Sequence, residues 1–138
     1  MNVLFDTNVI IDVLTCRIPF YEHSAQCFSL VSKDKISGLL SVHAITTIEY
    51  LAGKHLPTSK RQHLIAELMS KFSIVDTTKN SLLEALSLDC NDFEDGITYI
   101  SALSHDATHI LTRNLKDFTF SNLPVLSPSQ FIADLYQE

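Results

Sequence analysis

Four carboxylates stand where they are able to do chemistry together. Asp6 closes the first apolar run, in NVLFDTNVIID (residues 2–12), where Val3, Leu4 and Phe5 read as a buried strand and the chain then turns abruptly polar. Glu49 lies in ITTIEYLAG and shares a helix face with Ile45 and Ala52, so it borders a core stripe. An acid in that position costs free energy unless something pairs with it. Asp95 falls in the first turn of the helix opened by DFEDGITYISA, and Asp117 lies just past a strand, in TRNLKDF.

Taken singly, each acid has an ordinary explanation. Asp6 caps the next turn; Asp92 caps its helix with Asp95 at N3, a variant capping box; Asp117 opens an Asx-turn; Glu49 is solvated at the rim. Together they argue for more. Asp6, Asp95 and Asp117 fall near one edge of one sheet, and no basic residue adjoins Asp6 or Asp95. Four clustered carboxylates without lysine or arginine partners repel, and a divalent cation is their natural partner. All-oxygen ligation suits Mg²⁺ or Mn²⁺ rather than zinc.

The elements that must position these acids follow from hydrophobic period and turn signals. Strands are expected at 2–6, 36–42, 72–76, 109–112 and 124–126. Helices are expected at 8–14, 20–33, 43–54, from Thr58 or Ser59 as cap to Lys71, at 79–89 and 92–106, and from Pro128 at N1 onward. Strand alternating with helix predicts right-handed crossovers and an α/β three-layer sandwich, with a central parallel sheet of four to five strands. Active sites of such sheets lie at the carboxyl ends of the strands.

Composition bounds the rest. The 138 residues predict a single domain over 1–138, and 46% hydrophobic residues suffice for a core without staples. No apolar run approaches the ~20 residues of a membrane span, and no signal peptide is expected, since Asp6 interrupts the N-terminal run. Cys16, Cys27 and Cys90 are far apart and show no zinc spacing, which predicts core-filling thiols in a reducing cytoplasm. The net charge of −6 opposes nonspecific nucleic-acid binding unless the acids are concentrated at a metal.

LFDTNVIIDVL (4–14), TTIEYLAGK (46–54), DFEDGITYISAL (92–103), TRNLKDF (112–118) and PVLSPSQFI (124–132), in this order, resemble the PIN-domain proteins, and within them the bacterial branch related to VapC-type toxins. The resemblance implies a metal-dependent endoribonuclease, the toxin of a type II toxin–antitoxin pair. RNA would be its substrate, Mg²⁺ or Mn²⁺ its cofactor, and an antitoxin and a second copy of the chain its partners. It maps the acidic quartet onto Asp6, Glu49, Asp95 and Asp117. It also maps Asn8 as the residue orienting Asp6, Thr112 and Asn114 as polar neighbours of the metal, and Asp92 as a supporting acid. Gly96 departs from the alanine usual in this branch.

Rival readings remain open. A haloacid-dehalogenase-type phosphatase needs a second Asp two residues after the first, and position 8 is Asn. A catalytically inactive PIN-fold binding module would keep the fold and lose the chemistry. The basic stretch KHLPTSKRQH (54–63) is a candidate contact for the RNA backbone or, equally, a solvated loop. His43, His105 and His109 match no ligand spacing and are read as surface or capping residues. Tyr50 and Tyr99 are read as packing rather than base-stacking residues.

Overall fold

The computed structural model describes residues 1–137. Its strands are β1 (Asn2–Phe5), β2 (Ser37–Ser41), β3 (Ser73–Val75), β4 (His109–Leu111) and β5 (Val125–Leu126). Its helices are α1 (Thr7–Leu14), α2 (Tyr21–Ser32), α3 (Val42–Ala52), α4 (Thr58–Lys71), α5 (Lys79–Leu86), α6 (Phe93–Ser104) and α7 (Pro128–Tyr136), with a 3₁₀ turn at Leu115–Phe118. The five strands form one parallel sheet in the order β3-β2-β1-β4-β5.

The side-chain period of two divides β1 between two cores. Val3 and Phe5 face one layer with Val9, Ile10, Val31, Ile48 and Phe131. Leu4 faces the other with Val75, Ala85, Ile97 and Ile100. Thus α1, α2, α3, α4 and α7 cover one face and α5 and α6 the other, as the three-layer expectation requires. Gly38 in β2 is needed for this packing: a Cβ there would lie 2.6 Å from the Phe72 ring. That ring in turn meets Phe5 edge-on at 5.1 Å between centroids.

The element ends move from their expected places for local reasons. β1 stops at Phe5 because the next residue, Asp6, is the N-cap of α1, although its N–H still bonds to β4. α5 ends at Leu86, short of residue 89, with Ser87 as its C-cap. The cap expected from Thr58 or Ser59 is not made: Pro57 holds the N-cap position of α4 without a side-chain bond, and the Thr58 hydroxyl accepts instead from Arg61. α7 begins as expected, with Pro128 inside a capping box of Ser127 and Gln130. Among the described residues no helix is long and apolar enough to cross a membrane.

The strand order fixes where a site can form. From β1 the chain steps outward to β2 and β3, then returns to the other side of β1 for β4 and β5. This reversal opens a crevice at the carboxyl ends of β1 and β4, the usual place for a ligand in an open parallel sheet.

Candidate active site

Asp6 sits at the mouth of that crevice. Its N–H continues the sheet by donating to Leu111 O at 2.9 Å. Its carboxylate Oδ1 accepts from Thr7 N at 2.8 Å, so it does cap α1. Its Oδ2 accepts from the Thr112 hydroxyl at 2.9 Å and from Asn8 Nδ2 at 3.2 Å. Thr112, at the end of β4, is fully buried. Its oxygen also accepts from Asn8 Nδ2 at 3.2 Å and Asn114 N at 3.1 Å. Asn8 Oδ1 accepts from Arg113 N at 3.2 Å. Asn8 and Thr112 therefore hold Asp6 as a pair, one from each side of the crevice, while Asn114 takes part through its main chain. Burial nevertheless raises the Asp6 pKa, against the bonds from Thr112 and Thr7.

Asp95 arrives from α6. Asp92 is the N-cap of that helix, its Oδ1 accepting from Glu94 N at 2.8 Å and Asp95 N at 3.4 Å. Among the described residues, no donor meets the Asp95 carboxylate. Burial, and then the charges of Asp92, Asp6, Asp117 and Glu94, push its pKa up to about 7. Asp117 lies exposed in the 3₁₀ turn, where it lines a cleft of about 270 Å³ with Asp89, Asp92, Asp95 and Lys116. Asp95 and Asp117 thus share a cleft, and the charges of Asp6 and Asp117 both bear on Asp95.

Glu49 is engaged by a cation of the next helix. Its Oε1 accepts from Arg61 Nη1 at 2.7 Å, across the α3–α4 pair. It is absent from the charges that bear on Asp6 or Asp95. The expectation of an unpaired acid at this position is corrected by Arg61, the residue twelve places on that supplies the partner. The same pair consumes a cation of the 54–63 stretch, and Lys54 of that stretch lies over the Tyr50 ring at 5.2 Å.

The PIN domain family model matches residues 2–116. The chain belongs to the PIN-domain family. No curated protein matches it by sequence. Among solved structures it is similar to the VapBC2 complex of Rickettsia felis bound to a promoter DNA fragment, with TM-score 0.69, 16% identity, and coverage of 92% of this chain and 98% of that one. A toxin–antitoxin complex from Klebsiella pneumoniae matches at TM-score 0.68 and 21% identity, covering 91% and 97%. VapC20 of Mycobacterium tuberculosis, a toxin that cleaves the sarcin–ricin loop, matches at TM-score 0.66 and 10% identity, covering 88% and 98%. The α/β sandwich is thus the fold of the VapC toxins.

Within this PIN domain the donors suit a hard cation. Asp95 feels four like charges and no bonded donor, which is the electrostatic condition that a divalent ion relieves. Among the described residues, no three carboxylate, imidazole or thiol groups close on one point as they stand.

Other residues emerge only from the fold. His43, read as a surface or capping residue, is half-buried at the start of α3, and its charge bears on Asp6. Its Nε2 lies 3.1 Å from Thr98 Oγ1 and 3.3 Å from Ser41 Oγ. Burial lowers its pKa against the pull of Asp6. Asp12, fully buried in α1, accepts from Arg113 Nε through Oδ2 at 2.5 Å, and the guanidinium lies over the Phe20 ring at 4.4 Å. Asp12 thereby ties the TRN segment to α1 from below. Only the position of Arg113 within TRNLKDF hinted at this in the sequence. Gly96 also has a local reason: a Cβ there would lie 3.1 Å from Cys90 Sγ. Tyr99 packs edge-on against Phe120, as the packing reading expected, whereas His109, read as a surface or capping residue, packs edge-on against Phe131.

Proposed function

We propose that this PIN domain is a metal-dependent endoribonuclease, with Asp6, Asp95 and Asp117 binding Mg²⁺ or Mn²⁺. The observation that supports this reading is that the charges of Asp6 and Asp117 both bear on Asp95, beside the β1–β4 crevice, while, among the described residues, the Asp95 carboxylate has no donor. Asn8 and Thr112 keep Asp6 in one rotamer and leave its remaining lone pairs to the crevice. Asp92 fixes the first turn of α6, and with it Asp95. A bound divalent cation would supply a Lewis acid that lowers the pKa of an attacking water and offsets charge on the phosphoryl oxygens. Ordering these side chains before the ion arrives spares the site that reorganisation during the reaction.

The VapC-type neighbours support a toxin role with an antitoxin partner, and the exposed Leu83, Leu86 and Phe93 on α5 and α6 support a homodimer. The test is cleavage of a short single-stranded RNA by the purified protein with Mg²⁺ or Mn²⁺, against EDTA. Wild type should cleave. Asp6→Asn, Asp95→Asn and Asp117→Asn should each abolish cleavage, with apo melting temperatures level or raised because a like charge has been removed. Wild-type protein that binds Mn²⁺ without cleaving any RNA would favour the binding-module alternative.

A further inference from the structure

We propose that the cavity between the starts of α2 and α7 is a subsite for a backbone phosphate of the RNA strand, held by the Nη edge of Arg113, a reading that rests on the ribonuclease assignment and extends it to the strand beside the cut.

Arg113 starts at the crevice and reaches away from it. It follows Thr112, whose hydroxyl donates to Asp6, and its own N–H donates to Asn8 Oδ1 at 3.2 Å. Its Nε donates to Asp12 Oδ2, six residues past Asp6 and so about 9 Å further along α1. One face of the guanidinium lies over the Phe20 ring, with Cζ 4.4 Å from the centroid. A fully buried carboxylate and an aromatic ring therefore fix the fork before any ligand arrives. Among the described residues, neither Nη meets a hydrogen-bond acceptor, so the N–H donors of that edge are unspent.

The space beside that edge suits an anion. It is a cavity of about 280 Å³ lined by Phe20, His23, Ser127 and Ser129 together with Arg113. No carboxylate lines it, in contrast to the cleft at Asp95. The one acid beneath it, Asp12, is answered twice, since the charge of Arg17 bears on it as well as that of Arg113. The hydroxyls of Ser127 and Ser129 lie 3.1 Å apart there, and His23 adds an imidazole from α2. A pre-set guanidinium fork among hydroxyls matches the oxygens of a phosphate. The distance from Asp6 makes this a neighbour of the scissile phosphate and not the scissile phosphate itself: about 9 Å is roughly three nucleotides of a stacked strand, or fewer of an extended one. An acidic chain thereby gains a local hold on a polyanion.

The experiment follows the anisotropy of a labelled short single-stranded RNA on the full chain in EDTA, across a chloride titration, and its single-turnover cleavage with Mn²⁺. Arg113→Met is combined with Asp12→Asn, which removes the guanidinium without stranding a buried charge and leaves the net charge unaltered. This double variant should bind RNA about tenfold more weakly, with a log–log salt slope shallower by roughly 0.7, the share of one phosphate contact on a single strand. Ser129→Asp puts a carboxylate into the cavity at the second position of α7 and should weaken binding to a similar degree. Asn80→Asp makes the same change at the second position of α5, in the opposite layer, and should leave affinity within about twofold; both should melt at or above the wild-type temperature, since an acid suits a helix start. If the double variant is folded and binds RNA with wild-type affinity and slope, or if Ser129→Asp binds no worse than Asn80→Asp, the subsite is overturned, and wild-type cleavage with Mn²⁺ then leaves the ribonuclease reading standing. If the double variant fails to fold, the comparison of Ser129→Asp with Asn80→Asp decides alone. Displacement of the RNA by inorganic phosphate at matched ionic strength would mark a site for free anions and overturn the assignment to the strand. Wild-type protein that binds RNA with the expected variant losses yet cleaves none keeps the subsite and overturns the ribonuclease reading; one that neither binds nor cleaves RNA overturns both.

Discussion

Replacing Arg113 by Met tests whether the buried Asp12 is a support of the site. The substitution keeps an unbranched stem over Phe20 and removes the guanidinium that answers a carboxylate of zero exposure. Asp12 Oδ1 already lacks a hydrogen-bond partner, and burial, which raises the Asp12 pKa, outweighs the lowering by Arg113. Breaking a buried pair from one side typically costs about 3–5 kcal/mol. Here protonation sets a ceiling. An unfolded Asp has a pKa of ~3.9, so neutralising Asp12 costs about 4 kcal/mol at pH 7 and about 1.5 kcal/mol at pH 5, at ~1.36 kcal/mol per unit. The folded variant holds its proton to higher pH than the unfolded chain does, so stability falls as pH rises above ~4. Urea denaturation in EDTA should therefore show Arg113→Met about 3–4 kcal/mol less stable than wild type at pH 7, with most of that deficit gone at pH 5. Asp12→Asn added to Arg113→Met should restore much of the loss at pH 7. A deficit under about 1 kcal/mol at pH 7, or one that does not change with pH, would refute the reasoning, since surface ion pairs behave in that way.

Three further outcomes follow. In EDTA, the stability gained by Asp95→Asn over wild type should grow as pH rises from about 4 to above 7, because the folded pKa of Asp95 is about 7 and its unfolded value ~3.9; a gain that does not vary with pH across this window contradicts the crowding of like charge. Mn²⁺ at a hundredfold excess over its Kd should stabilise the wild type by ~2.7 kcal/mol, which is about 10 °C in melting temperature for a chain of this size, and Asp6→Asn should remove most of that rise. Gly38→Ala should cost about 1–3 kcal/mol, because its Cβ meets the Phe72 ring and Val31, and Phe72→Leu in the same chain should return part of it in calorimetry.

The fold was legible because its signals are local and repeated. Each strand is a short apolar run, and each helix carries its own stripe and usually its own cap. Asp6 and Asp95 were legible as candidates for the same reason: an acid at a strand end or helix start inherits its position from the element. What escaped is what depends on pairing across the chain. Asp12 reads as a polar residue within an apolar helix until Arg113, 101 positions later, is folded against it. His43 reads as a surface residue until Thr98 and Glu94 are set beside it by α6.

Glu49 shows why an acid near a motif has to be followed along the element that carries it. In sequence it borders a core stripe, and the nearest cations lie in the 54–63 stretch that follows it. A helix, however, advances about 100° per residue, so a border position looks toward one flank of the stripe or the other. The flank that Glu49 faces belongs to α4, which returns along α3 after a short connection and brings Arg61 with it. The sheet order does the placing at α6, because the return from β3 to β4 carries the start of that helix to the crevice beside β1. Asp95, in its first turn, inherits that place from the topology, whereas the partner of Glu49 depends on how α4 packs against α3.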